Sequence, residues 1–117
     1  RTIQRLGFRI VSTEGTARTL CGGNVRCEVV RKISEPHPNV GDMISNGEIA
    51  LIVNTPYGSE TRGDGYFMRT EAVKHGVTCV TALSGASAFT AALEALDENP
   101  YGLPVIALQD LPQYEVK

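Results

Sequence analysis

Tryptophan is absent from this 117-residue chain, and its four tyrosines and three phenylalanines are scattered rather than clustered. Eleven basic residues face thirteen acidic ones, for a formal charge of −2. There is thus no basic stripe to follow a phosphate backbone and no row of rings on which bases could stack, which sets nucleic-acid binding aside. No apolar run approaches the roughly 20 residues of a membrane span. The first residues lack the charged and apolar regions of a signal peptide, so a cytoplasmic location is expected. Cysteine is scarce too. Cys21, Cys27 and Cys79 are odd in number and fit neither a zinc spacing nor a disulfide framework, so reduced, largely buried thiols are expected. His37 and His75 are too isolated for a metal site or a catalytic relay.

What the chain does have is alternation. Apolar runs of strand type and segments of helical type succeed one another: helix end 1–6, strand 8–13, helix 16–22, strand 25–31, helix 39–46, strand 49–55, helix 64–75, strand 78–82, helix 85–97 and strand 104–108. Strands that are continuously apolar between helices imply a parallel sheet covered on both faces, an α/β architecture. Gly7, Gly22-Gly23, Gly47 and Gly76 stand where helices should close. A length of 117 residues with 42% hydrophobic content suits a single domain with an ordinary core. In Ala86–Leu96, Phe89, Leu93 and Leu96 recur at helical spacing and read as a core face; the alanines around them would also suit a homo-oligomer contact.

Function is written at the strand ends. Phe8–Thr13 runs into Glu14-Gly15-Thr16, where a helix begins; a helix N-terminus leaves backbone N–H groups unpaired and carries partial positive charge, which makes an anion site. Three later strands end in Lys32, in Asn54-Thr55 and in Ser84. In a doubly wound sheet ligands bind along the carboxyl edge, so Thr13, Thr16, Lys32, Asn54 and Thr55 can converge on one crevice. Thr and Lys would take a phosphate, and Asn a sugar hydroxyl or a base edge. The plainer alternatives are that Thr16 caps the helix, that Asp64 caps the one after residue 63, and that Lys32 is a solvated strand end.

Gly7-Phe-Arg-Ile-Val-Ser-Thr-Glu-Gly-Thr-Ala17, Val30-Arg-Lys-Ile33, Gly47-Glu-Ile-Ala-Leu-Ile-Val-Asn-Thr-Pro-Tyr-Gly58, Asp64 and Met68-Arg69 occur in that order. Together they resemble the methylglyoxal-synthase-like family, in the form of the C-terminal allosteric domain of the large subunit of bacterial carbamoyl-phosphate synthetase. The resemblance runs from Gly7 to about Leu96. It implies a flavodoxin-like, three-layer parallel sheet of order 3-2-1-4-5 whose first strand is missing from this sequence. That strand, with a loop carrying a serine and a lysine of the phosphate pocket, should precede Arg1 by roughly two dozen residues. Arg1–Gly7 likewise reads as the end of a helix without a start. Residues 1–117 are therefore expected to be an N-terminally incomplete regulatory domain of a larger chain.

Carried over by position, the resemblance implies a nucleotide monophosphate effector such as UMP or IMP, held by Thr13 and Thr16 at the phosphate. Lys32 would compensate charge, Asn54 and Thr55 would meet ribose or base, and Asp64 with Met68 would flank both. The domain itself is expected to catalyse nothing and to hold no cofactor or metal. ATP and Mg or Mn are implied for the parent enzyme, which would make carbamoyl phosphate for pyrimidine and arginine biosynthesis. Its partners would be the remaining domains of the large subunit and the glutaminase small subunit. Methylglyoxal synthase is the enzymatic rival. His37 and Thr55, however, stand near two positions where it needs aspartates, which leaves Asp64, with Glu35 as a substitute base. A cyclohydrolase domain of purine synthesis shares the opening motif but not the lysine-rich stretch expected after Lys32. An interaction domain with a vestigial pocket is the third alternative.

Overall fold

A computed structural model describes residues 1–55, 62–99, 101–102, 105 and 107–110. Its elements follow the expected order: α1 (Thr2–Arg5), β1 (Val11–Ser12), α2 (Glu14–Gly22), β2 (Glu28–Val29), α3 (Val40–Ser45), β3 (Leu51–Val53), α4 (Arg62–Lys74), β4 (Thr78–Val80) and α5 (Leu83–Glu98). The strands are two or three residues long, shorter than the apolar runs that encode them.

Among the described residues pairing is parallel and forms two ladders. In one, β1 lies beside β2 with Val11 opposite Glu28; in the other, β3 lies beside β4 with Ile52 opposite Cys79. These are the two neighbour pairs that the order 3-2-1-4-5 leaves when its first strand is set aside. Glu28 and Val30 donate their N–H groups to the carbonyls of Ile10 and Ser12, and Asn54 donates to Val80. In a parallel ladder alternate residues turn to opposite edges, so the backbone groups of Val11, Leu51 and Val53 point away from their partners. A groove of about 360 Å³ runs past Val11 and Leu51, walled by Ile3 and Phe8 and by Phe89 and Leu93 of α5.

The core lies under the second ladder. Val40 and Ile44, one turn apart on α3, meet Ile52 of β3 and Ala72 of α4, with Met68, Val77 and Cys79 packed around them. Asn39 starts α3 with a capping box: its side-chain oxygen accepts the N–H groups of Gly41 and Asp42, and the Asp42 carboxylate accepts the N–H of Asn39. A Cβ at Gly41 would stand 3.1 Å from the Ile33 side chain, which would have to give by a few tenths of an ångström to admit it. Gly47 and Gly76 take positive φ after α3 and α4, as helix-closing glycines do. After α2, by contrast, the left-handed turn falls on Asn24 and not on Gly22-Gly23.

Four expectations are corrected. Helix α2 begins at Glu14 with Thr13 in the N-cap position, so Thr16 lies inside the first turn and does not cap. Asp64 is likewise the third residue of α4, an acid in the first turn rather than the cap. No residue of α5 is fully buried, because Phe89 and Leu93 face the groove instead of a sheet. In place of the strand at 104–108, Val105 and Ala107 belong to no strand and Leu108–Asp110 form a 3-10 turn. Val105 is 96% exposed. Residues 104 and 106 fall outside those described.

Candidate functional site

The first half of the crevice is built where β1 enters α2. Thr13 is extended, and its carbonyl accepts the N–H of Ala17 at 2.9 Å, which closes the first helical turn. Its hydroxyl makes no capping bond, so the N–H groups of Glu14, Gly15 and Thr16 have no partner among the described residues. Beside them opens a cleft of about 380 Å³, lined by Glu14, Gly15 and Arg18 from α2 and by Val30, Arg31, Lys32 and Glu35 beyond β2. Arg18 is paired with Glu14 at 2.6 Å. Arg31 is turned toward the carbonyls of Pro36 and His37, and the Glu35 carboxylate accepts the backbone N–H of Lys32. Lys32 is exposed and has no carboxylate partner among the described residues. Thr13 and Thr16 adjoin this cleft through the first turn of α2 without lining it.

The second half stands at the end of β3. Asn54 is half-buried, donates its backbone N–H to Val80, and directs its amide to the carbonyl of Gly65 in the first turns of α4 at 3.4 Å. Thr55 and Asp64 are half-buried alongside. Met68, expected beside the ribose and base, packs on the core cluster. Residues 56–61, which include Pro56 and Gly58 of the motif, lie outside the described residues. Thr13, Thr16 and Lys32 thus lie about the first turn of α2 and the end of β2, and Asn54, Thr55 and Asp64 lie at the end of β3 and the start of α4.

The Ser34–Asn39 loop is fastened by the side chains of Asn39 and His37. The amide of Asn39, 3% exposed, donates to the carbonyls of Glu35 at 2.9 Å and Ile33 at 3.4 Å. His37 Nδ1 stands 2.7 and 2.8 Å from the two carboxylate oxygens of Asp42. That imidazole, with the N–H of Asn39, holds the Asp42 carboxyl below its usual range. Ser34, His37, Asp42, Glu71 and His75 line a cleft between α3 and α4, where His75 Nε2 lies 3.3 Å from Glu71. No group of three metal-ligating side chains gathers among the described residues.

The cysteines differ from expectation in burial. Cys21 is exposed, while Cys27 and Cys79 are half-buried and all three are free thiols. Burial pushes the Cys79 thiol up, against the opposing pull of the Arg69 charge. Arg69 was legible only as part of a motif; its place beside Asn54 needs the α4 geometry. Among the described residues no helix is long and apolar enough to cross a membrane.

Comparison with known proteins places these features in a family. Residues 1–81 match the MGS-like domain family. Over 112 residues the chain is 46% identical to the carbamoyl phosphate synthase large chain, C-terminal section, of Methanopyrus kandleri, covering 95% of this chain and 20% of that one. It is 43% identical over 96 residues to the carbamoyl phosphate synthase large chain of Archaeoglobus fulgidus, covering 82% of this chain and 9% of the relative. The large chain of Methanothermobacter thermautotrophicus is 48% identical over 91 residues, 78% of this chain and 8% of its own length. The sequence thus spans a fifth or less of the length of these relatives. With a match that covers both strand ladders and three relatives above 40% identity, the chain belongs to the MGS-like domain family.

Proposed function

We propose that this domain binds a small phosphorylated effector, a nucleoside monophosphate such as UMP or IMP, along the carboxyl ends of its strands. It reports occupancy to the ATP-using catalytic domains of a carbamoyl-phosphate synthase large subunit. The observation that carries the reading is the first turn of α2, whose N–H groups lack a side-chain cap and adjoin a cleft lined by Lys32, a cation with no carboxylate partner among the described residues. Aligned peptide dipoles and one nearby cation are what a phosphate needs. Relatives of 46% and 43% identity that are large chains of carbamoyl phosphate synthase favour the parent enzyme. In it, ATP with Mg or Mn would serve catalytic domains elsewhere, and the glutaminase subunit would supply ammonia in the cytoplasm for pyrimidine and arginine synthesis.

The lyase alternative has less in its favour. His37 and Thr55 stand near the positions where the lyase needs aspartates, and the substitute carboxylate of Glu35 accepts the backbone N–H of Lys32. A regulatory domain transmits only what it binds unequally in two states. Calorimetric titration of UMP, IMP and inorganic phosphate into the full-length polypeptide tests the reading. Saturable nucleotide binding is expected; a folded protein that binds none of the three would leave the interaction-domain alternative in its place.

A further inference from the structure

Gly65 is buried in the first turns of α4, and a Cβ placed on it would stand 2.9 Å from the Asn54 Nδ2 and 3.2 Å from an Arg69 Nη1. An amide and a guanidinium therefore converge on one point at the carboxyl end of β3, and glycine is what lets them do so. Arg69 is half-buried, and among the described residues no carboxylate lies within ion-pair distance of it. Its charge is felt at Cys79 on the adjacent strand. A half-buried cation without a counter-charge is unfavourable unless something polar meets its donors, and the planar guanidinium offers several donors in a fixed fork.

We propose that Arg69 is a specificity-determining residue that, with Asn54, binds the oxygen acceptors at the end of the ligand remote from its phosphate. The assignment rests on the effector-binding reading above and deepens it. Lys32 and the α2 turn take the phosphate in the first half of the crevice; Arg69 and the Asn54 amide take carbonyl or hydroxyl oxygens in the second. Gly65 is a positioning residue, since any side chain there would displace the Asn54 amide.

The test is titration of UMP and, separately, inorganic phosphate into the full-length polypeptide and its Arg69→Met variant. UMP affinity should fall about tenfold, the scale of one charge-assisted hydrogen bond, while phosphate affinity stays as in the parent. Arg69→Lys should recover only part of the loss, because a point charge lacks the fork. Gly65→Ala, which keeps the guanidinium and the amide but crowds both, should weaken UMP and spare phosphate; it also serves if Arg69→Met fails to fold. Unchanged UMP affinity in folded variants overturns the assignment, and so does an equal loss for UMP and phosphate. A parent that binds neither ligand overturns the effector reading and this assignment together, which separates that failure from the other two.

Discussion

The Asp42 carboxylate receives the Asn39 backbone N–H at 2.7 Å while the Asn39 side-chain oxygen receives the Gly41 N–H at 2.9 Å, so each residue holds the other at the start of α3. Asn39 also donates to two carbonyls of the preceding loop from a buried position. Asn39→Ala should therefore remove a helix cap and strand two loop carbonyls, lowering stability by about 2 kcal/mol. Chemical denaturation of parent and variant measures it; a difference near zero would show that water replaces the amide.

Asp42 supplies a pH dependence whose sign is fixed by its partners. Its folded-state carboxyl titrates below the ordinary value, chiefly through the His37 hydrogen bond and then that of Asn39. Such a group adds stability above the ordinary carboxylate range, about pH 3.9, and loses it as the pH falls through the lower folded value. The Asp42→Asn variant should be less stable than the parent at neutral pH, and the gap should close on acidification below about pH 4. Thermal melts across that range decide it, and a gap of constant size would contradict the His37 pairing.

At the phosphate half, Lys32→Ala should weaken nucleotide binding and flatten its dependence on salt, because an exposed charge acts through a field that ions screen. Thr16→Ala should also weaken binding while leaving the melting curve in place. Equal salt slopes for Lys32→Ala and parent would put this lysine in bulk solvent.

Ile44 is fully buried at the centre of the only large apolar cluster among the described residues. Ile44→Ala leaves a cavity between α3 and α4, and a loss of about 2–5 kcal/mol is expected in denaturant unfolding.

Thiol alkylation should mark Cys21 well before Cys79. The first is exposed, and burial raises the second away from its thiolate form. Peptide mapping after brief treatment reads the order directly.

The alternation of elements was legible in the sequence because it depends on local apolar runs and glycine stops, as at Gly47 and Gly76. The family resemblance was legible through spaced motifs, and the relatives bear it out. Helix starts were not. Thr16 and Asp64 both looked like caps, yet each lies in a first turn, since a cap depends on where the backbone leaves the extended region and several hydroxyl or acid residues compete for the place. The exposed side of α5 was equally hidden: Phe89, Leu93 and Leu96 carry the period of a core helix, and periodicity shows which residues share a face without showing whether a layer lies beneath it. Arg69 needed three dimensions, because its nearness to Asn54 is set by the glycine between them.

The outward-turned backbone groups of Val11, Leu51 and Val53, together with the apolar groove past Val11 and Leu51, bear on how these 117 residues behave when handled alone. Edges with no ladder partner among the described residues are templates for strand exchange, and copies at high concentration can satisfy them with one another. Precipitation that grows with concentration, and solubility rescued by an added extended peptide, would be the laboratory signature. The same seam gives a natural cut for a split reporter, in which two separately expressed pieces regain a signal only when the ladder is joined.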